Sequence, residues 1–118
     1  MNRIGFVFQS SPHTTTKGRE GLDAILAASA YSEDIHIFFI ADGVLQLLEN
    51  QQPELILSRD YISGFKMLAL YDLEEIFVCQ TALLNRGLKP NNLNIDVDVI
   101  SNQQINEKLA QCAQIMVF

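Results

Sequence analysis

Tryptophan is missing from this sequence, cysteine occurs only twice, and basic residues number eight against fourteen acidic ones. Each shortage excludes something. Two cysteines, Cys79 and Cys112, are too few for a disulfide scaffold, and a reducing compartment would keep them as thiols. The basic residues are scattered and form no block, and the net charge is −6. A chain that grips a phosphate backbone needs the opposite, so no direct nucleic-acid partner is expected. No apolar run approaches the roughly 20 residues that span a bilayer. Met1-Asn2-Arg3-Ile4-Gly5-Phe6 leads straight into a strand-like segment, without the hydrophobic stretch and cleavage site of a signal peptide. These absences point to a cytoplasmic protein with no membrane partner.

What is present suits a packed α/β domain. Hydrophobic residues make up 48% of the 118, enough for one core and too short a chain for two, so residues 1–118 read as a single domain. Strand-like and helix-like segments alternate, which predicts βαβ units and a parallel sheet. Arg3–Phe8 is a strand rich in Ile, Val and Phe. The polar loop Gln9–Lys17 precedes a helix over Gly18–Tyr31, with Leu22, Ile25, Leu26 and Ser29 on one face. Ile35–Ile40 is almost continuously apolar, as expected of a strand covered on both faces. Asp42-Gly43 breaks it, and Val44–Leu48 begins a short helix.

Gln51-Gln52-Pro53 marks a turn. Ser58 caps a predicted helix through Leu70 that carries Tyr61, Phe65 and Leu68, with Tyr71 next to it; core packing or a subunit interface would use these aromatics. Glu75–Cys79 is the third strand, and Gln80–Arg86 the helix after it. Gly87-Leu88 has the form of a left-handed helix terminus, and Pro90 prevents a restart. Ile95–Ile100 alternates Asp96 and Asp98 with Ile95, Val97 and Val99, the pattern of an edge strand. Ser101–Gln104 is a capping-box sequence opening a helix with Ile105 and Leu109. Ile115–Phe118 is the last strand. The expectation is a three-layer α/β/α sandwich on a mainly parallel five-stranded sheet. Its strand order is not derivable from the pattern.

In such sheets reactive groups gather at the carboxyl ends of the strands. That edge would hold the Gln9–Lys17 loop, Asp42-Gly43 and Cys79. Cys79 ends a strand and precedes a helix, where free backbone N–H groups and the helix dipole stabilise thiolate. The plainer reading is a small buried hydrophobe, the usual behaviour of a free cysteine. Cys112 reads as a packing residue on the last helix and His36 as a core or interface histidine. His13, in the hydroxyl-rich loop Ser10–Thr16, is the one loop base available to a stand-alone thiol enzyme. The spacing of these His and Cys residues fits no zinc site. The loop lacks the Lys and Ser/Thr of a Walker A motif, since Arg19-Glu20 follow Gly18. A small flavodoxin-like protein binding a flavin or an anion is a further alternative. A receiver domain is excluded: Gln9-Ser10 stand where its acidic residues belong.

Several stretches together resemble the DsrF-type branch of the DsrE/DsrF/DsrH sulfur-relay family. They are Arg3–Phe8, Pro12-His13, Gly18-Arg19-Glu20-Gly21-Leu22-Asp23-Ala24 and Phe38-Phe39-Ile40-Ala41-Asp42-Gly43-Val44. Arg59-Asp60-Tyr61, Phe65-Lys66, Leu70-Tyr71-Asp72 and Val78-Cys79 continue the match in register. The resemblance implies a subunit of a cytoplasmic heterohexamer, a dimer of trimers with homologous B-type and D-type subunits. It implies transfer of persulfide sulfur between upstream and downstream carrier proteins, for 2-thiolation of a tRNA wobble uridine. It implies neither cofactor nor metal. The family's principal sulfur acceptor lies on the D-type subunit, which leaves this chain mainly structural, with Cys79 at the matching strand end as a candidate persulfide acceptor.

Overall fold

The computed structural model describes residues 3–11, 16–32, 34–47, 68, 73–93 and 95–118. In chain order they form β1 (Ile4–Phe8), α1 (Lys17–Ala28), β2 (Ile35–Phe39), a 3-10 helix (Ala41–Leu47), β3 (Ile76–Cys79), α2 (Gln80–Asn85), a 3-10 turn (Pro90–Asn92), β4 (Asp98–Ile100), α3 (Asn102–Ala110) and β5 (Gln114–Val117). The five strands form one sheet in the order β4-β3-β2-β1-β5, with every pair parallel. This is the expected sandwich. The predicted helix from Ser58, with Tyr61, Phe65 and the adjacent Tyr71, and the turn at Gln51-Gln52-Pro53 lie outside the described residues. Leu68 is described and is fully buried.

Why these residues make a sheet with two covers follows from alternation. Partners in a parallel register point to the same face. Phe6, Phe8, Ile37, Phe39 and Val78 therefore share one face, and Gly5, Val7, His36, Phe38, Phe77 and Cys79 the other. α1 covers the first face. Its Gly21 leaves the space into which the Phe8 ring fits, and Phe8 stacks on Phe39 at 5.0 Å and on Phe118 at 5.7 Å. α3 covers the second face. Cys112, just after it, packs against Gly5, and the Lys108 ammonium lies 4.5 Å from the Phe77 ring centre. Central β2 is buried along its whole length, which accounts for its unbroken apolar sequence.

Two local signals hold in detail. Gly87 has φ +66°, and the Leu88 and Gly87 N–H groups donate to the Leu83 and Leu84 carbonyls, a complete Schellman terminus for α2. Ser101 Oγ accepts from Gln104 N–H while Gln104 Oε1 accepts from Ser101 N–H, so the capping box is closed on both sides. β4 is an edge strand as its aspartates predict, but only Asp98–Ile100 pair; Ile95–Val97 approach it outside the ladder. β5 is the opposite edge, and all four of its residues are exposed.

Strand order locates the crevice. The steps β1 to β2 to β3 to β4 run in one direction across the sheet, and the step β4 to β5 runs back. Right-handed crossovers place α1, between β1 and β2, and α2, between β3 and β4, on one face, and α3, between β4 and β5, on the other. Connections leaving β3 and β4 thus part to opposite faces, which puts the topological switch point between the carboxyl ends of those two strands.

Candidate functional site

Cys79 ends β3 at this switch point, and Ser101-Asn102 follow β4 on its other side. The thiol is buried, with 4% of the residue exposed, and donates to Asn102 Oδ1 at 3.3 Å. Here the structure corrects the sequence reading. Cys79 is the N-cap residue of α2, yet its side chain makes no capping bond to that helix. Strand alternation turns the sulfur to the face of Phe77 and α3, away from α2. The helix whose first residue meets the sulfur is α3.

The rest of the predicted carboxyl edge is brought together by side chains that carry no reaction. Gln46, 1% exposed, donates to the Ser10 carbonyl at 3.0 Å and packs on Gly18, tying the loop after β1 to the 3-10 helix. Arg86 Nη2 donates to Asp42 Oδ1 at 2.7 Å, tying α2 to that 3-10 helix. Pro12, His13, Thr14 and Thr15 lie outside the described residues. Asn102 is the residue that sequence reasoning missed. Its signal was the capping box, which marks it as the first helical residue after β4, but only the order β4-β3 brings it to Cys79.

Cys112 and His36 sit at the amino end of the sheet. The Cys112 thiol donates to the Lys108 carbonyl at 3.6 Å, and burial pushes its pKa up from the usual 9.0. The two thiols flank the nine residues of α3, a separation of about 14 Å along its axis, too far for a disulfide. His36 lies one residue before Ile37, which pairs with Ile76, so it stands some four residues, about 13 Å, below Cys79 along the sheet. It cannot act as that thiol's base. Among the described residues no group of three His, Cys, Asp or Glu could hold a metal ion.

His36 is instead an acid-sensitive core residue. Its Nε2 faces Asp34 Oδ1 at 3.3 Å, an oxygen that also accepts from Arg3 Nε at 3.1 Å, and its buried Nδ1 has no partner. Burial first, then the Arg3 charge, lower its pKa from 6.5; Lys108 adds to this, against Glu75 and Asp34. The folded chain therefore binds a proton at His36 less readily than the unfolded one. Its contribution to stability is complete above pH 6.5 and is lost as pH falls through the interval down to the lowered value. Melting temperature measured from about pH 7.5 to 5 should fall through that interval, and His36→Gln should flatten that part of the curve. An identical slope in His36→Gln would show that other groups set the pH dependence.

A parallel five-stranded sheet with α3 on one face, and a cysteine closing β3 at the switch point, defines a small α/β protein of the open-sheet class. The model of the DsrE/DsrF-like family matches residues 2–118, and the chain belongs to that family. It is 80% identical, over all 118 residues and the full length of both chains, to a protein of Aliivibrio fischeri named "Protein TusC homolog". It is 48% identical, again with full coverage of both, to "Protein TusC" of Escherichia coli. Among solved structures, the ychN protein of E. coli superposes with a TM-score of 0.83 at 20% identity, with each chain covered completely. A Methanobacterium thermoautotrophicum protein gives 0.70 at 15% identity, also with full coverage. At those identities the structures speak for the fold alone. Among the described residues, no helix is long and apolar enough to cross a membrane.

Proposed function

We propose that this chain is a cytoplasmic, single-domain subunit of a sulfur relay. In this reading it assembles with homologous B-type and D-type subunits into a heterohexamer, a dimer of trimers. The complex passes persulfide sulfur between carrier proteins toward 2-thiolation of a tRNA wobble uridine. The observation that carries the reading is full-length 80% identity to a relative named as a TusC homolog. The acidity of the chain agrees with contact to carrier proteins rather than to the tRNA.

Within the complex the chain is mainly structural, and Cys79 is an auxiliary acceptor. The transfer is balanced without an external oxidant. The Cys79 sulfur attacks the outer sulfur of a carrier persulfide, a new S–S bond forms on Cys79, and the old one breaks. The carrier leaves as a thiol while Cys79 becomes the persulfide. Burial of Cys79 at the switch point supports protection of such a group from solvent.

Reconstitution tests both levels. Mixed with its B-type and D-type counterparts, the chain should move in size-exclusion chromatography to the mass of a heterohexamer; a chain that stays monomeric sinks the assembly. A complex built with Cys79→Ser should still assemble and should transfer sulfur several-fold more slowly. Transfer at the full rate would remove Cys79 from the relay.

A further inference from the structure

The Asn102 side chain does no work for the helix it begins. The cap of α3 is made by Ser101 and Gln104, each accepting from the other's backbone N–H to complete the capping box without Asn102. Asn102 is an exposed residue, yet its Oδ1 turns back toward the sheet to accept from the buried Cys79 thiol at 3.3 Å. It is the side chain to which the sulfur hydrogen-bonds, at the carboxyl ends of β3 and β4. An asparagine amide is also two-sided: Oδ1 accepts, and after a half-turn about its last bond Nδ2 donates.

From this placement, and resting on the sulfur-acceptor reading of Cys79, we propose that Asn102 is a positioning residue that gates the thiol. In the resting state Oδ1 accepts the S–H, which holds the sulfur inward. When the thiol loses its proton, the amide turns and Nδ2 donates to the sulfur anion, and it does the same for the terminal sulfur of the persulfide formed in transfer. One side chain thus serves the protected state and the reactive one. The two differ in a single torsion, so no movement of β3 or α3 is needed.

The test compares Asn102→Ala and Asn102→Asp with the unaltered full-length chain. The readout is the rate at which iodoacetamide modifies Cys79, followed by peptide mass spectrometry from neutral to alkaline pH. Cys112, at the far end of α3, is the internal reference. Alanine uncovers the sulfur but also removes the Nδ2 donor. Cys79 modification should therefore accelerate about tenfold at neutral pH, the scale of one hydrogen bond to a reacting group, and by less at alkaline pH, where the anion has lost its donor. Aspartate keeps the size and the acceptor but cannot donate and repels an anion. Its rate should fall by a similar factor, with the pH profile displaced to higher pH. Asn102→Gln, which restores an amide, should recover the displaced profile.

Opposite signs are the decisive feature, because fraying of α3 would expose Cys79 in both variants and accelerate both. Rates unchanged in both variants, or raised equally, overturn the gate. A parallel incubation with glutathione persulfide separates this result from the function itself. Alkylation that follows the expected pattern, with no 32-Da sulfur gain on Cys79, would leave the gate standing and remove the sulfur-acceptor role.

Discussion

Gly43→Ala should cost this protein about 4 kcal/mol or more, which places it among the most damaging single substitutions available in such a chain. The cause is a backbone collision. The Phe8 carbonyl at the end of β1 accepts from the Ile40 N–H at 3.0 Å, and Gly43 lies over the same carbonyl. A Cβ at Gly43 would overlap the Phe8 oxygen and crowd the Gln9 nitrogen at 2.9 Å. Neither neighbour is the free end of a side chain, so neither can step aside. Relief requires lifting the 3-10 helix Ala41–Leu47 from the sheet, which exposes Val44 and Leu47, both fully buried. Urea denaturation followed by circular dichroism would measure the loss against a total stability of about 5–15 kcal/mol for a domain of this kind. A variant melting within 1 kcal/mol of the parent, on the scale of ordinary surface changes, would show that the close approach is not a constraint.

Phe8→Ala should be nearly as severe, at about 3–5 kcal/mol. Phe8 is 1% exposed and sits between two other rings, Phe39 and Phe118, both stacked on it. Its loss removes the transfer energy of a buried ring and leaves a void that α1 cannot close, because the α1 residue facing the ring is Gly21, which has no side chain to move in. The stacks add about 0.5–1.5 kcal/mol each beyond area. Phe8→Leu, which refills most of the volume, should recover over half of the loss. Equal melting of the alanine and leucine variants would mean that the cavity term is absent.

How far the sequence reaches can be judged at particular residues. Local chemistry was legible: the left-handed Gly87, the Ser101–Gln104 box and the unbroken apolar run of β2 each depend on neighbours close in sequence. The acidic alternation at Asp96 and Asp98 also marked the β4 edge correctly. The Cys79 environment was not legible, because it depends on which strand lies beside β3 and on which face α3 crosses. A cysteine before a helix suggests that helix as its partner; the pleat of β3 turned it to another. β5 was legible as a strand but not as an edge. Ile115, Met116 and Val117 are 47%, 41% and 54% exposed, since β5 ends the sheet and has a strand neighbour on one side only. Apolar composition reports what a strand prefers, and only topology decides whether it is covered.

The same topology has a consequence in time. β1 leaves the ribosome ahead of β2, which can pair with it soon afterwards on one side. Its other side waits for β5. The Arg3 side chain reaches Gln111, 108 residues away, and its carbonyl accepts from Ala113 and Gln114 at the start of β5. At translation rates of about 5–20 residues per second, the second edge of β1 stays open for about 5–20 s. Through that interval a half-made sheet presents Gly5, Phe6 and Val7 along an unpaired backbone, so the nascent chain depends on whatever shields it until β5 arrives.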